Sequence, residues 1–288
     1  DAASSGGLPA AGDAAQPPDP LATALRQALD DATLRLAYQP IVDLETGRVH
    51  AVEALPCWPQ PAGLAPTAAE WMAAAESAGL AARLGQVVLD SACRQMQVWQ
   101  QVLGPAAPAR LAINLSRGQC LDDGLEPQLR SMLVAHGLAP AALMLEVDEA
   151  LAVGNTAVMA RLCTLRSMGC AVALDRFGVS NSTLAALHGL PVDAVKVDRR
   201  FVQQVEGDTP RLVVQAIQRL AQSLGLQVVA EGVETKAQVA LLRGSGFRLA
   251  QGGALGDPLD AGAMTRQLRS APGQPAGAPL APPVAATH

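Results

Sequence analysis

Eight short apolar runs, rich in β-branched residues and separated by longer stretches of helical periodicity, constrain the fold of this chain most. They lie near residues 36–42, 49–55, 111–115, 143–147, 171–174, 194–197, 227–230 and 248–250. Strands that alternate with helices are typical of βα units around a parallel sheet. Eight such units fit a closed (β/α)₈ barrel of the TIM-barrel type, although a doubly wound open sheet shares the same alternation.

Two of the intervening stretches carry clear helical signals. The first has an apolar stripe at steps of three and four, made of Leu84, Val88, Ala92, Met96 and Trp99. Such a stripe predicts a helix that faces the core. The second stretch is predicted to begin with Thr209 as the N-cap and Pro210 as the first helical residue, and to end at Gly225.

Composition bounds the domain organisation. At 288 residues, half of them apolar, the chain is long enough for one barrel-sized domain. Residues 1–20 and 271–288 are rich in Ala, Gly and Pro, and we predict two disordered tails around one folded domain at 21–270. Lys and Arg number 21 against 26 Asp and Glu, which argues against a nucleic acid polymer as partner.

The cysteines and the apolar stretches bear on the cellular location. Five cysteines at irregular positions form neither a C-x-x-C pair nor a disulfide framework. No apolar run reaches the ~18 residues that a bilayer span needs, and the start of the sequence lacks a signal pattern. We therefore predict a cytoplasmic location, with the chain either alone or as the cytoplasmic part of a larger membrane-bound protein.

Polar residues stand at or beside the ends of the predicted strands. They are Glu53, Asn114, Glu146, Asp175, Lys196, Asp198, Glu231 and Gln251. The carboxyl ends of barrel strands converge on one face, whereas an open sheet would spread these residues along a crevice. Each residue alone is more often a solvated loop group or a helix cap. Together they favour a barrel with a functional site on that face.

The chemistry of this set points to a hard metal ion and a phosphate ester. Carboxylate and amide oxygens suit Mg²⁺, Mn²⁺ or Ca²⁺, and the set lacks the His and Cys cluster that zinc prefers. Lys196 is either part of a structural ion pair or a group that positions a water beside the metal.

The same residues resemble a known family. Glu53-Ala54-Leu55 matches the signature tripeptide of the EAL domains, which bind cyclic di-GMP and hydrolyse it to linear pGpG. The resemblance continues in family order through Tyr38-Gln39-Pro40-Ile41, Asn114-Leu115-Ser116, Leu145-Glu146-Val147 with Glu149, Asp175 with Phe177-Gly178, Lys196-Val197-Asp198, Ala230-Glu231-Gly232-Val233-Glu234-Thr235 and Gln251-Gly252. It covers about residues 34–268, which is nearly the whole predicted domain.

The resemblance implies roles for individual residues. It implies a Mg²⁺ or Mn²⁺ site formed by Glu53, Asn114, Glu146 and Asp175, and action on the attacking water by Lys196 and Glu231. It implies ligand contacts by Gln39, Leu55, Asp198 and Gln251, and a brace for the loop after the fifth strand by Glu149. From the chemistry of its guanidinium, we also predict that Arg176 contacts the ligand. It also implies cyclic di-GMP as the ligand, a homodimer, and a GGDEF, sensor or effector protein as a partner.

Arg176 is the most consequential departure from the family pattern, which has a second aspartate at this place before Phe-Gly. A guanidinium offers donors that match a phosphate, but it has no lone pair for a metal and cannot activate a water by coordination. We expect Arg176 either to hold the phosphate and repel a second cation, or to swing into solvent and leave a one-metal site. Both arrangements predict absent or impaired hydrolysis, with one bound ion or none.

Two further departures lie near the same face. Cys57 stands where the family has an arginine that reaches a ligand phosphate, a loss that should weaken binding by ~1.5–3 kcal/mol. We expect Cys57 itself to be inert. The family loop Thr-Gly-Tyr-Ser-Ser is replaced here by residues 179–183, and Asp148 replaces a usual threonine, either as a harmless surface change or as a functional one.

Three hypotheses for the function stay open. The leading one is a degenerate EAL domain that acts as a cyclic di-GMP receptor or regulatory interaction module with absent or impaired hydrolysis. The alternative is an active, metal-dependent phosphodiesterase that produces pGpG, which the retained acidic residues and Lys196 support. The third is a protein-interaction domain that binds no nucleotide.

Overall fold

The computed structural model describes residues 19–58, 66–179, 187 and 189–270. Most of both predicted tails, and positions 180–183 of the substituted loop, lie outside the described residues. Asp19 caps the first helix by accepting a hydrogen bond from the Leu21 backbone N–H, and Pro20 is its first residue. The first helix therefore begins at Pro20, next to the predicted boundary between the first tail and the folded domain.

Eight strands close into a barrel in the order in which they occur along the chain. They are β1 (Arg35–Asp43), β2 (Val49–Cys57), β3 (Arg110–Asn114), β4 (Leu143–Asp148), β5 (Ala171–Phe177), β6 (Ala194–Val197), β7 (Gln227–Ala230) and β8 (Leu249–Ala250). Each predicted apolar run overlaps one of them. The eightfold barrel is confirmed, and the closed strand order excludes the open sheet.

β1 departs from the predicted parallel sheet, because it runs antiparallel to both β2 and β8. The cause is its short connection to β2, residues 44–48, whereas a parallel crossover needs about a dozen residues or more. Asp43 stabilises the turn by accepting the backbone N–H groups of Glu45 and Thr46, and Gly47 closes it at φ 71°. The barrel is therefore mixed, with parallel pairing from β2 to β8.

In the described part of the chain, helices precede the first strand, lie between strands and follow the last strand. They are α1 (Pro20–Asp30), α2 (Ala68–Ser77), α3 (Ala81–Leu103), α4 (Arg117–Leu121), α5 (Leu125–Ala135), α6 (Glu149–Ala152), α7 (Thr156–Ser167), α8 (Arg199–Gln203), α9 (Asp208–Ser223), α10 (Lys236–Gly244) and α11 (Ala261–Ser270). Short 3₁₀ turns lie at Gly104–Ala106 and Pro140–Ala142. Across the described ranges, no helix has the length and apolar character needed to cross a membrane.

The two helices predicted from sequence are both present. α3 buries every residue of the predicted apolar stripe, which confirms its core-facing side. The prediction of Thr209 as an N-cap is wrong, because α9 begins at Asp208 with Gly207 as its N-cap. Pro210 fits in this first turn because the N–H that it lacks would have no helical partner there. Gly225 follows the end of α9 at φ 72°, as predicted.

Apolar side chains inside the barrel form a layer that supports the polar residues. The layer consists of Ile41, Ala51, Ala112, Met144, Ala171, Ala173, Ala194, Val229 and Leu249. Successive side chains of a strand point to opposite faces, so residues two positions apart share a face. Seven polar residues each lie two positions after a residue of this layer along the chain: Glu53, Asn114, Glu146, Asp175, Lys196, Glu231 and Gln251. In the antiparallel β1, Gln39 lies two positions before Ile41. The polar set is thus the next layer of the barrel interior.

Candidate metal and ligand site

Lys196 lies at the centre of the polar layer with a side chain that is 1% exposed. Its Nζ donates to Glu53 Oε2 at 2.9 Å, to Glu146 Oε2 at 2.7 Å and to Glu231 Oε1 at 2.8 Å. These carboxylates come from β2, β4 and the residue after β7. One buried ammonium therefore pairs with three acids and links three strands of the barrel.

Amide side chains complete the hydrogen bonding of Glu53. Asn114 Nδ2 donates to its Oε1 at 2.7 Å, and Gln251 Nε2 donates to its Oε2 at 2.8 Å. Gln251 Nε2 also donates to Gln39 Oε1 at 3.0 Å. Glu53 thus receives the ammonium and two amide donors, the surroundings that favour an ionised carboxylate.

The three carboxylates differ in pKa because a single cation cannot compensate all of them. Burial raises the pKa of Glu146 well above its usual value, and the neighbouring Glu53 charge adds to this. Burial also raises the pKa of Glu231 to about 7, against the opposing effect of Lys196. Burial would raise the pKa of Glu53 too, but Lys196 and the two amide hydrogen bonds hold it below its usual value. Without a further cation, the cluster therefore keeps Glu53 ionised and favours a proton on Glu146.

A β-bulge near the end of β5 presents Asp175 and Arg176 side by side. The pairing of β5 with β6 shifts register between Leu174 and Phe177, so β5 carries one extra residue. The bulge leaves Arg176 in the left-handed backbone region at φ 54°. Aspartate and asparagine enter this region several-fold more readily than other non-glycine residues, so arginine is strained here.

The Arg176 guanidinium forms an ion pair with the carboxylate of Asp148. The Arg176 side chain is 60% exposed, while that of Asp148 is 24% exposed. Asp148 uses its other oxygen to accept the Ala150 backbone N–H at 2.7 Å, which caps α6. Arg176 therefore reaches toward solvent but stays paired with an acid, and its contact with a phosphate stays a prediction. The ion pair with Asp148 is a feature that the sequence did not predict.

A cavity of about 640 Å³ opens beside this ion pair. Its polar lining includes Asn114, Ser116, Asp148, Asp175 and Arg176. Its apolar lining includes Leu55, Trp58, Met72, Leu84, Val88 and Leu115. Apart from Leu55, the apolar residues were not predicted as site residues, since an apolar stripe on a helix indicates only that it packs against a core. A charged rim with an apolar wall suits a ligand that has both polar and apolar parts.

Other positions singled out from the sequence lie at or near the same face. Asp198 is buried after β6, where its Oδ1 accepts the Arg200 backbone N–H at 2.9 Å and Nε at 3.0 Å. The Asp198 carboxylate therefore already accepts hydrogen bonds from Arg200, and its contact with a ligand stays a prediction. Glu149 Oε2 accepts the Gly178 backbone N–H at 3.0 Å, the kind of contact that a brace for the loop after β5 requires. Burial raises the pKa of the Cys57 thiol, which suits its expected inertness.

The donor set of the polar layer fits a divalent cation. Glu53, Glu146, Asp175 and Asn114 offer carboxylate and amide oxygens, the ligands that Mg²⁺ and Mn²⁺ accept. Glu146 Oε1 is buried and has no hydrogen-bond partner, so one acceptor stands ready for a cation. Within the described ranges, however, no three acidic, histidine or cysteine side chains are already arranged to hold an ion. The Lys196 ammonium lies among the carboxylates instead.

Gly252 holds the segment that carries Gln251, and we expect Gly252→Ala to lower the free energy of unfolding by about 2 kcal/mol. The backbone lies at φ 151°, and an added Cβ would come within 2.2 Å of the Val233 backbone nitrogen. Gly244→Ala is the matched control, because a Cβ there meets nothing within 4 Å in α10. Urea denaturation should show the control to be stabilised by about 0.5–1 kcal/mol. Equal effects of both substitutions would refute the close-packing argument.

The protein is a closed barrel with a polar site at its strand ends. The site combines a buried lysine among carboxylates with an acidic rim beside a cavity. The family model of the EAL domain matches residues 22–258. That match covers most of the chain and all of the strands that position the site. The chain therefore belongs to the EAL domain family.

Named relatives agree with this membership. The chain is 39% identical over 239 residues to the bifunctional diguanylate cyclase/cyclic di-GMP phosphodiesterase MucR of Pseudomonas aeruginosa, across 82% of this chain and 35% of MucR. The solved structure "PaMucR Phosphodiesterase, c-di-GMP complex" has a TM-score of 0.79 at 39% identity, covering 85% of this chain and 99% of that one. The FimX EAL domain from Pseudomonas aeruginosa bound to c-di-GMP has a TM-score of 0.75 at 27% identity, covering 84% and 97%. The chain spans about a third of the length of the curated relatives it matches.

Proposed function

We propose that this domain acts in cyclic di-GMP signalling as a nucleotide receptor or regulatory interaction module with absent or impaired hydrolysis. The observation that carries the proposal is the Arg176 guanidinium, which is paired with Asp148 at the acidic rim of the cavity. The c-di-GMP complexes of similar EAL domains support the choice of ligand. A homodimer and a GGDEF, sensor or effector partner in the cytoplasm belong to the same proposal.

Ligand recognition in this proposal divides between the rim and the apolar wall. Arg176 donates to a phosphate, and Leu55 packs against a base within the cavity of about 640 Å³. Gln39, Asp198 and Gln251 are the remaining proposed ligand contacts. The Arg176 phosphate contact offsets in part the arginine that is replaced by Cys57.

Glu53, Asn114, Glu146 and Asp175 are the proposed ligands of one Mg²⁺ or Mn²⁺ ion. Such an ion, when bound, would polarise the phosphate and lower the pKa of a water. Lys196 holds the carboxylates in place through its three ion pairs. Glu231, with a pKa of about 7, can accept a proton from an attacking water.

Hydrolysis is impaired in this proposal because Arg176 supplies the positive charge of a second metal ion but not its ability to activate a water. Its positive charge can neutralise a phosphate oxygen, but it has no lone pair and cannot acidify a water. Its charge also repels any second cation that approaches Asp175. The site therefore binds the substrate better than it activates the nucleophile.

An active phosphodiesterase is the second candidate function. It is favoured by the intact cluster of Lys196 with Glu53, Glu146 and Glu231, and by the phosphodiesterase name of the relative MucR. The two candidates share a ligand and differ in turnover. Binding and product formation must therefore be measured separately.

Calorimetric titration with cyclic di-GMP, in EDTA and then in Mg²⁺, tests the receptor function. We expect binding in both conditions and its loss in Ala81→Trp, because Ala81 lines the cavity and an indole would fill it. Ala82→Trp is the matched control, since Ala82 is exposed and absent from the cavity lining. Absence of wild-type binding at high micromolar nucleotide would reject the receptor and favour a domain that acts only through protein surfaces.

A further inference from the structure

The ion pair between Arg176 and Asp148 lies in the lining of the cavity beside the polar layer. Arg176 is the only cationic residue among the described residues that line this cavity. The acidic residues of the same lining are Asp148 and Asp175. A negatively charged group that enters the cavity therefore meets a single positive side chain, and a carboxylate of the protein already engages that side chain.

Asp148 is fixed at this position by the backbone as well as by the arginine. Its Oδ1 accepts the Ala150 backbone N–H at 2.7 Å and so caps α6. The Arg176 side chain is the more exposed of the two, and a long arginine side chain has many rotamers. When the two groups separate, the guanidinium is therefore the one that moves, and the carboxylate stays at the rim.

Carboxylate and phosphate compete for the same donors of a guanidinium. Each can accept two parallel N–H groups from arginine, so one edge of the guanidinium engages one of the two anions at a time. A phosphate that binds this edge of Arg176 must displace Asp148 from it. The displaced carboxylate stays nearby and repels the phosphate, because both groups are negatively charged. Asp148 therefore weakens phosphate binding both by competition and by repulsion.

The ion pair can be separated by a ligand that binds well. More than half of the Arg176 side chain is exposed, and ion pairs that are open to water contribute little to stability. The pair thus lowers the affinity for a phosphate without closing the cavity.

We infer that Asp148 is an internal competitor of the ligand phosphate, and that it sets the affinity of the cavity by engaging the guanidinium of Arg176. Binding of a phosphate ester exchanges the carboxylate for the phosphate at the arginine. The inference rests on the proposed receptor function and deepens it, since it names the residue that limits the affinity for cyclic di-GMP.

Calorimetric titration of Asp148→Asn with cyclic di-GMP in EDTA tests the inference. EDTA excludes a contribution from divalent cations, and asparagine can still accept the Ala150 backbone N–H, so the cap of α6 is preserved. We expect the variant to bind at least about tenfold more tightly than the wild type. Asp123→Asn is the matched control, because Asp123 pairs with Arg161 outside the cavity lining, and its affinity should stay within about twofold of the wild type.

The same substitution in an Arg176→Gly background assigns the gain to the guanidinium. Glycine fits the backbone at φ 54°, so this background should stay folded, and urea denaturation checks that it does. We expect Asp148→Asn to change the affinity there by less than about threefold, because no guanidinium remains to be released. A tenfold gain in this background would overturn the inference.

The titrations also distinguish failure of the inference from failure of the receptor function. If the wild type and Asp148→Asn bind cyclic di-GMP with equal affinity, the receptor function stands and the inference is wrong. If neither protein binds at high micromolar nucleotide, both are wrong. Binding by Asp148→Asn alone would support the inference and reject the receptor function for the wild type.

Discussion

Lys196→Met is expected to lower the free energy of unfolding by about 3–5 kcal/mol at about pH 8, because it leaves three carboxylates without their buried cation. Methionine fills a similar length of the barrel interior, so the loss reports charge more than volume. Urea denaturation in EDTA, followed by circular dichroism, measures it. The loss should shrink toward pH 5, since the raised pKa of Glu146 and of Glu231 lets both take up protons in the folded state.

The matched control is Lys236→Met, because the chain has only these two lysines and Lys236 is exposed at the start of α10. Its effect should stay within about 0.5 kcal/mol. If both substitutions cost the same, the ammonium of Lys196 would not be what holds Glu53, Glu146 and Glu231 together.

Arg176→Asp is expected to raise the rate of pGpG formation at least about 100-fold in Mn²⁺, because it replaces a fixed cation with a metal ligand. Aspartate also suits the left-handed backbone of the bulge better than arginine does. Chromatography of the nucleotides after incubation with cyclic di-GMP measures the rate.

Two controls accompany this substitution. Arg94→Asp reverses a charge on α3, where Arg94 pairs with Asp90, and should leave the rate unchanged. Glu53→Ala in the Arg176→Asp background should abolish the new activity. If Arg176→Asp gives no gain, the defect lies instead at Cys57 or in the substituted loop at 179–183.

The barrel could be predicted from sequence because each strand is a short apolar run followed by a polar residue. The exception is β1, which the alternation of strands and helices placed in a parallel sheet. The signal that corrects it was present, since five residues between β1 and β2 allow a hairpin and no crossover. The N-cap of α9 was predicted at the wrong residue for a local reason. Thr209, Pro210 and Gly207 are all residue types that suit the start of a helix, so the sequence does not decide between them.

The polar layer could be predicted as a group, but its internal pairing could not. Lys196 is distant in sequence from Glu53 and Glu146, and only the barrel register brings their charges within 3 Å. The pairing of Arg176 with Asp148 depends further on the bulge in β5, which turns the arginine backbone to φ 54°. No spacing rule in the sequence predicts a bulge at that residue.

Binding without efficient hydrolysis is tested by incubating the wild-type domain with cyclic di-GMP in Mn²⁺ and in Mg²⁺ and separating the nucleotides. We expect cyclic di-GMP to remain intact under conditions in which calorimetry shows it bound. Sustained multiple-turnover conversion to pGpG, lost in Glu53→Ala, would instead establish an active phosphodiesterase and reject a receptor with impaired hydrolysis.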